Sequence, residues 1–170
     1  MPRRYSVWTN PDRGEARYVQ SLLQREQQRR ALFNLRDEWE SFLRKEDEKR
    51  QYRLFASLTF RGEIGAIRSE KLARCWANEL NRRAFGRQYL KREERLAIAF
   101  LIERQLLGRR HLHGLLSGPP RLTGAIAERA WRTRGGGFAE VHEIRSWDAA
   151  VLYLRKKIDP ESQVEITLLP

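Results

Sequence analysis

From about Glu15 to Arg50 the chain has no Gly or Pro. Val19, Leu22, Leu23, Phe33, Trp39, Phe42 and Leu43 recur there at loosely helical spacing among Gln, Arg and Glu. This pattern predicts one long helix, or two with a break near Gln28–Arg30, preceded by a turn at Asn10-Pro11-Asp12-Arg13-Gly14. The texture changes at Gln51. Leu54–Phe60 (LFASLTF) is short, apolar and rich in strand formers, and it ends at Arg61-Gly62. Ser69 is placed to cap a helix running to Phe85, with Leu72, Trp76 and Leu80 on one stripe and Gly86 as its stop.

Arg95–Glu103 and Arg110–Leu116 read as two further strands, joined by a hairpin turn at Leu107-Gly108-Arg109. Pro119-Pro120 breaks the chain. A short helix from Thr123 or Gly124 to Trp131 is stopped by Gly135-Gly136-Gly137. Phe138–Ile144 is a fourth strand, Ser146 caps a helix from Trp147 to Ile158, and Val164–Leu169 completes the set as an edge strand. The order β-α-β-β-α-β-α predicts an α+β fold: a ferredoxin-like antiparallel sheet with helices on one face. Residues 1–50 form an N-terminal helical extension to a domain spanning 51–170.

Charge narrows the partners. Lys and Arg total 34 against 22 Asp and Glu, giving +12. Residues 1–50 hold 12 basic and 9 acidic side chains, so most of the surplus belongs to the globular part. A polyanionic partner follows from that surplus. The arginines of the first helix are read as a solvated face rather than a phosphate track. No basic amphipathic stretch rich in Trp or Phe and no apolar run long enough to span a bilayer is present, which argues against membrane partners. Cys75 is the single cysteine, so no intrachain disulfide or Cys-rich zinc finger is encoded. Met1-Pro2-Arg3-Arg4 leads into no apolar segment, and no phosphate-cradling ATPase loop occurs. An intracellular protein is expected.

Two of the three histidines stand at His111 and His113, inside an apolar strand. Alternation turns both imidazoles to one face, and imidazole is the commonest metal ligand among side chains. Glu103, at the end of the preceding strand, faces them if a hairpin joins the two. Two imidazoles and one carboxylate leave open coordination positions, and this donor mix suits Mn²⁺ or Mg²⁺ acting on phosphate, with zinc also compatible. The remaining histidine, His142, shares a strand face with Phe138, Glu140 and Ile144. It or Glu140 is a possible further ligand, although a lone strand histidine is more often packed or solvated. On the last helix Trp147, Ala150, Val151, Leu154 and Ile158 form the apolar stripe. Tyr153 stands off its centre, with Lys156 and Lys157 three and four residues on, on the same side. A phenol needs nearby cations to act as a nucleophile; a Tyr beside lysines is otherwise a surface side chain. Trp8, Trp131 and Trp147 are candidates to stack bases, with core packing the default for Trp147.

Taken together, these segments resemble the HUH endonucleases of the rolling-circle replication initiator type. Phe55–Phe60 resembles the family's first-strand motif. His111-Leu112-His113-Gly114 is similar to its His-hydrophobe-His motif, with Glu103 eight residues upstream in the place of its acidic ligand. Tyr153-Leu154-Arg155-Lys156 resembles its Tyr-x-x-Lys, and Gly137–Ile144 is similar to the strand before the tyrosine helix. The resemblance covers residues 52–158; the 1–50 segment has no counterpart in it.

The resemblance implies a sequence-specific nicking and joining enzyme for single-stranded DNA that initiates rolling-circle replication. Glu103, His111 and His113 would hold the divalent ion. Tyr153 would attack in line to leave a 5′-phosphotyrosine and a free 3′-hydroxyl, with Lys156, or Lys157 in its place, neutralising charge. The partner would be single-stranded DNA of a replication origin, as an open strand or a hairpin. A host helicase and polymerase would complete replication. The compartment would be the cytoplasm of a prokaryotic host of a plasmid or virus, or the nucleus if the host is eukaryotic. Three rivals remain open: a single-tyrosine transposase of the same superfamily; a relaxase, for which Tyr5 and Tyr18 are the early tyrosines; and a basic nucleic-acid-binding module without catalysis.

Overall fold

The computed structural model describes residues 11–104, 109–158 and 165–169. Helix α1 spans Pro11–Arg50 as one element of 40 residues without a break at Gln28–Arg30. It begins inside the segment expected to be a turn. Pro is as well suited to the first helical position as to a turn, so the two signals coincide there. Strand β1 (Leu54–Phe60) follows, then α2 (Ala66–Phe85), β2 (Ile98–Arg104), β3 (Arg110–Leu116), α3 (Gly124–Thr133), β4 (Gly136–Glu143), α4 (Trp147–Lys157) and β5 (Glu165–Leu169).

The five strands form one sheet in the order β4-β1-β3-β2-β5, with every neighbouring pair antiparallel. Strands β2 and β3 pair as a hairpin from Arg104↔Arg110 outward. Leu107 and Gly108 of the expected turn lie outside the described residues, as do Tyr5 and Trp8.

Helix α2 starts one turn earlier than expected. Gly65 is its cap, and Ser69 sits buried in the first turn with its Oγ donating to Ala66 O at 2.7 Å. A serine bonding back to its own helix looks the same in sequence as one capping the next. Strand β2 likewise starts later, at Ile98, because Leu96 N donates to the Asn81 side chain on α2 (2.7 Å) instead of to a neighbouring strand. Thr123 and Ser146 act as caps: their hydroxyls accept from Ile126 N and Ala149 N.

Helices cover both faces of the sheet, not one. On the first face α2 and α3 pack Trp76, Leu80 and Trp131 against Leu58, Phe100, Ile102 and Leu112. The Trp131 indole donates to Thr59 O at 2.9 Å, and the Trp76 indole to Ala127 O at 3.0 Å, so neither buried N–H is left unpaired. Trp131 is therefore core, not a base-stacking platform. On the second face Trp39 and Leu43 of α1 and Val151, Leu154 and Ile158 of α4 pack on Phe55, Leu101 and Leu115. Arg36 donates to Ile158 O at 2.8 Å and Arg155 pairs with Asp37 at 2.5 Å, tying α1 to α4. The unbroken apolar run Ile98–Ile102 in β2 is the sequence signature of a strand covered on both sides. On this second face, beside α4, the polar side chains of Ser57, Glu103 and His113 gather.

Candidate active site

Strand alternation aims Phe55, Ser57 and Thr59 of β1, Leu101 and Glu103 of β2, and His111, His113 and Leu115 of β3 at the face that α4 covers. The ladder sets Glu103 directly opposite His111, and His113 between Leu101 and Ser57. Cross-strand neighbours lie close enough for side chains to meet.

His113 is 3% exposed, and both ring nitrogens have partners: Nδ1 lies 3.2 Å from Ser57 Oγ and Nε2 lies 3.1 Å from Glu103 Oε2. Lys157 reaches the same carboxylate from α4, with Nζ 3.3 Å from Oε2 and 3.4 Å from Oε1. Its ammonium also stands 5.3 Å from the centre of the Tyr153 ring. Lys156, the other expected cation, is exposed. Of the two lysines, Lys157 is the one the structure brings to Glu103.

Tyr153 lies on the same side of the sheet as the histidines. Its ring meets His113 edge-on at 5.3 Å and Phe55 edge-on at 5.5 Å, and the residue remains 40% exposed. The ring is thus held by two aromatic contacts while solvent still reaches it. His111 lies next to this group, its ring 6.5 Å from that of His113.

Burial pushes both imidazoles below their ordinary value. At His113 it outweighs the Glu103 hydrogen bond, which acts in the opposite sense. At His111 burial again dominates, and the nearby Lys157 and Arg109 charges add to it against the pull of Glu103. Neutral imidazole is the form that ligates metals. A hydrogen bond to the second ring nitrogen is the usual way to hold such a ligand in orientation, and Ser57 is placed for that at His113. Among the described residues no three His, Cys, Asp or Glu side chains stand close enough together to hold a metal ion. Glu103 and His113 are in contact, and His111 is the direct cross-strand neighbour of Glu103.

A cavity of about 440 Å³ opens beside Tyr153, between β4 and the start of α4, lined by Phe55, Ser57, Glu140, His142, Ala149 and others. The His142 ring lies 5.6 Å from Phe55, on the cavity side of that ring rather than among the donors around Glu103. Trp147 stacks on Tyr52 with ring centres 6.0 Å apart. Tyr18 stands 65% exposed on α1. The sequence alone assigns Ser57 and Phe55 no individual role. The signal was available in the register, since a Ser two residues after a Phe in an otherwise apolar strand shares its face with whatever chemistry that face carries. Compared with known proteins, the chain matches no family model, no curated protein and no solved structure. No helix among the described residues is long and apolar enough to cross a membrane.

Proposed function

We propose that the chain is a metal-dependent endonuclease for single-stranded DNA that nicks and rejoins through Tyr153, in the manner of the HUH replication initiators it resembles. One observation carries this reading: a partly exposed tyrosine from α4 stands against a buried, carboxylate-bonded histidine of β3, with a lysine beside both. The β-α-β-β-α-β order with strand sequence β4-β1-β3-β2 supports a ferredoxin-like arrangement for residues 51–158, extended by β5. The net charge of +12 supports a polyanionic substrate.

The donor set suits a divalent ion such as Mn²⁺ or Mg²⁺: one carboxylate and two imidazoles held neutral by burial, on one sheet face. Glu103 and His113, already in contact, would hold it together with His111 from the neighbouring ladder position once the three side chains draw closer than they stand here, with Ser57 orienting His113. When bound, such an ion polarises the phosphate that is attacked.

The protein's own groups do the remainder. The Tyr153 hydroxyl oxygen attacks the phosphorus in line and gives up its proton. The new O–P bond forms as the bond to the 3′-oxygen breaks, and that oxygen leaves as a hydroxyl. One phosphodiester replaces another, so the reverse attack rejoins the strand. Phe55 and His113 fix the ring so that little orientation is lost on binding. Lys157 is the cation we assign to the negative charge that builds during transfer. The cavity beside Tyr153 is open to a base next to the cleaved bond. The test is cleavage of single-stranded oligonucleotides with Mn²⁺ and with EDTA. Metal-dependent nicking supports the reading, and binding without cleavage under both conditions replaces it with the non-catalytic module.

A further inference from the structure

A second cavity, of about 590 Å³, lies on the opposite face of the sheet, between α2 and the end of β1. Arg61, Arg68, Lys71 and Arg134 line it, and among the described residues no carboxylate does. These four cations come from three different places in the chain: the turn after β1, the first half of α2 and the end of α3. Convergence of that kind sets them apart from a charged run along one helix, which ordinary solvation explains.

Two of them are fixed in place. Arg61 donates through Nε to Gly136 O at 3.0 Å. Arg134 is held by Glu79, which is 5% exposed and also binds Arg82 and Arg83 at 2.6 and 2.8 Å. Burial alone would raise the Glu79 carboxyl, but its hydrogen bonds to Arg134 and Arg83 and the charge of Arg82 hold it below the usual range. One carboxylate thus gathers three guanidiniums, leaving a net positive end on α2. Arg68 and Lys71 are exposed and continue the same stripe toward the start of that helix.

The position relative to the candidate active site matters. Thr59 pairs with His111 on one face, and Phe60, the next residue, lines this cavity on the other. Both sites therefore sit at the same end of the sheet, on opposite faces, and a polynucleotide passing round the end of β1 meets both.

We propose that this groove binds the phosphodiester backbone of nucleic acid outside the cleavage site, through Arg61, Arg68, Lys71 and Arg134. The inference rests on the nucleic-acid part of the reading above and does not need nicking. Single strand and duplex present the same phosphate chemistry, so the experiment uses both.

The probes are a fluorescein-labelled oligo-dT strand and a labelled mixed-sequence duplex, titrated by anisotropy over a range of salt with wild type and Arg68→Ala/Lys71→Ala. Both substituted residues are exposed on α2, so the fold is retained. Losing two phosphate contacts makes the log K against log salt slope shallower by about 1.4 for a single strand or about 1.8 for a duplex. A change with one probe alone supports the groove and names its ligand. Cys75, exposed and lining the cavity, gives a second readout: bound nucleic acid slows its alkylation by iodoacetamide several-fold. An unchanged slope with both probes overturns the proposal, whatever happens at Cys75. A shallower slope in a protein that never nicks DNA leaves the groove standing and removes the endonuclease reading. Normal nicking with an unchanged slope removes the groove alone.

Discussion

Ser57 Oγ and His113 Nδ1 lie 3.2 Å apart across the β1–β3 ladder, which leaves Nε2 as the ring nitrogen turned to Glu103. The hydroxyl pins the imidazole plane from the neighbouring strand. If Nε2 of the imidazole held in this way is a metal ligand, Ser57→Ala weakens Mn²⁺ binding about 10-fold or more by calorimetry, and Ser57→Thr retains most of it. Equal Mn²⁺ affinity in wild type and Ser57→Ala would show that the contact only fills space.

The two lysines of α4 separate cleanly. Lys157 bonds Glu103 and stands over the Tyr153 ring, whereas Lys156 is exposed. Lys157→Met is expected to lower the nicking rate roughly 100-fold, on the scale of losing one group that stabilises transition-state charge. Lys156→Met is expected to stay close to wild type. Larger loss at Lys156 would return the role to the lysine three residues after Tyr153.

Acid stability follows from burial of the imidazoles. Both have folded-state values below the ordinary value of about 6.5. As pH falls below about 6.5 the unfolded chain takes up protons that the folded chain resists, so stability drops until the folded values are reached. Glu79, also depressed, adds a separate loss lower down, beginning near the ordinary carboxylate value of about 4.3. Thermal unfolding across pH should show both windows, and His111→Gln/His113→Gln should flatten the upper one. Parallel curves for wild type and variant would contradict the burial argument.

Trp131 fills the core between Phe60 and Trp76, with ring centres at 5.2 and 5.9 Å and its indole bonded to Thr59 O. Gly136 leaves room for it, since a Cβ there would come within 2.2 Å of the indole nitrogen. Trp131→Ala should cost about 3–5 kcal/mol in denaturant unfolding. A cost under about 1 kcal/mol would mean that the face collapses to fill the hole.

Much of this was legible in the sequence where local chemistry and tertiary environment agree. Strands β1 and β3 run Leu54–Phe60 and Arg110–Leu116, the bounds that their composition and turn residues predict. The Ser146 cap and the stripe of Val151, Leu154 and Ile158 placed α4 and left Tyr153 beside the sheet. Where other parts of the chain decide, the signals misled. Asn81 ties down Leu96 and delays β2, Gly65 rather than Ser69 starts α2, and α1 docks through Trp39 and Leu43 on a face expected to be bare. Choosing Lys157 over Lys156 needed the height of α4 above Glu103. A helical spacing of three or four leaves that choice open.

The covalent-adduct assay tests the central claim most directly. Wild type and Tyr153→Phe are incubated with single-stranded DNA and Mn²⁺, resolved on a denaturing gel, and the linked peptide is identified by mass spectrometry. The account predicts an adduct in wild type, its linkage on the peptide holding Tyr153, and none with Tyr153→Phe although DNA binding persists. No adduct from wild type on strands that it cleaves, or an equal adduct from Tyr153→Phe, would contradict it.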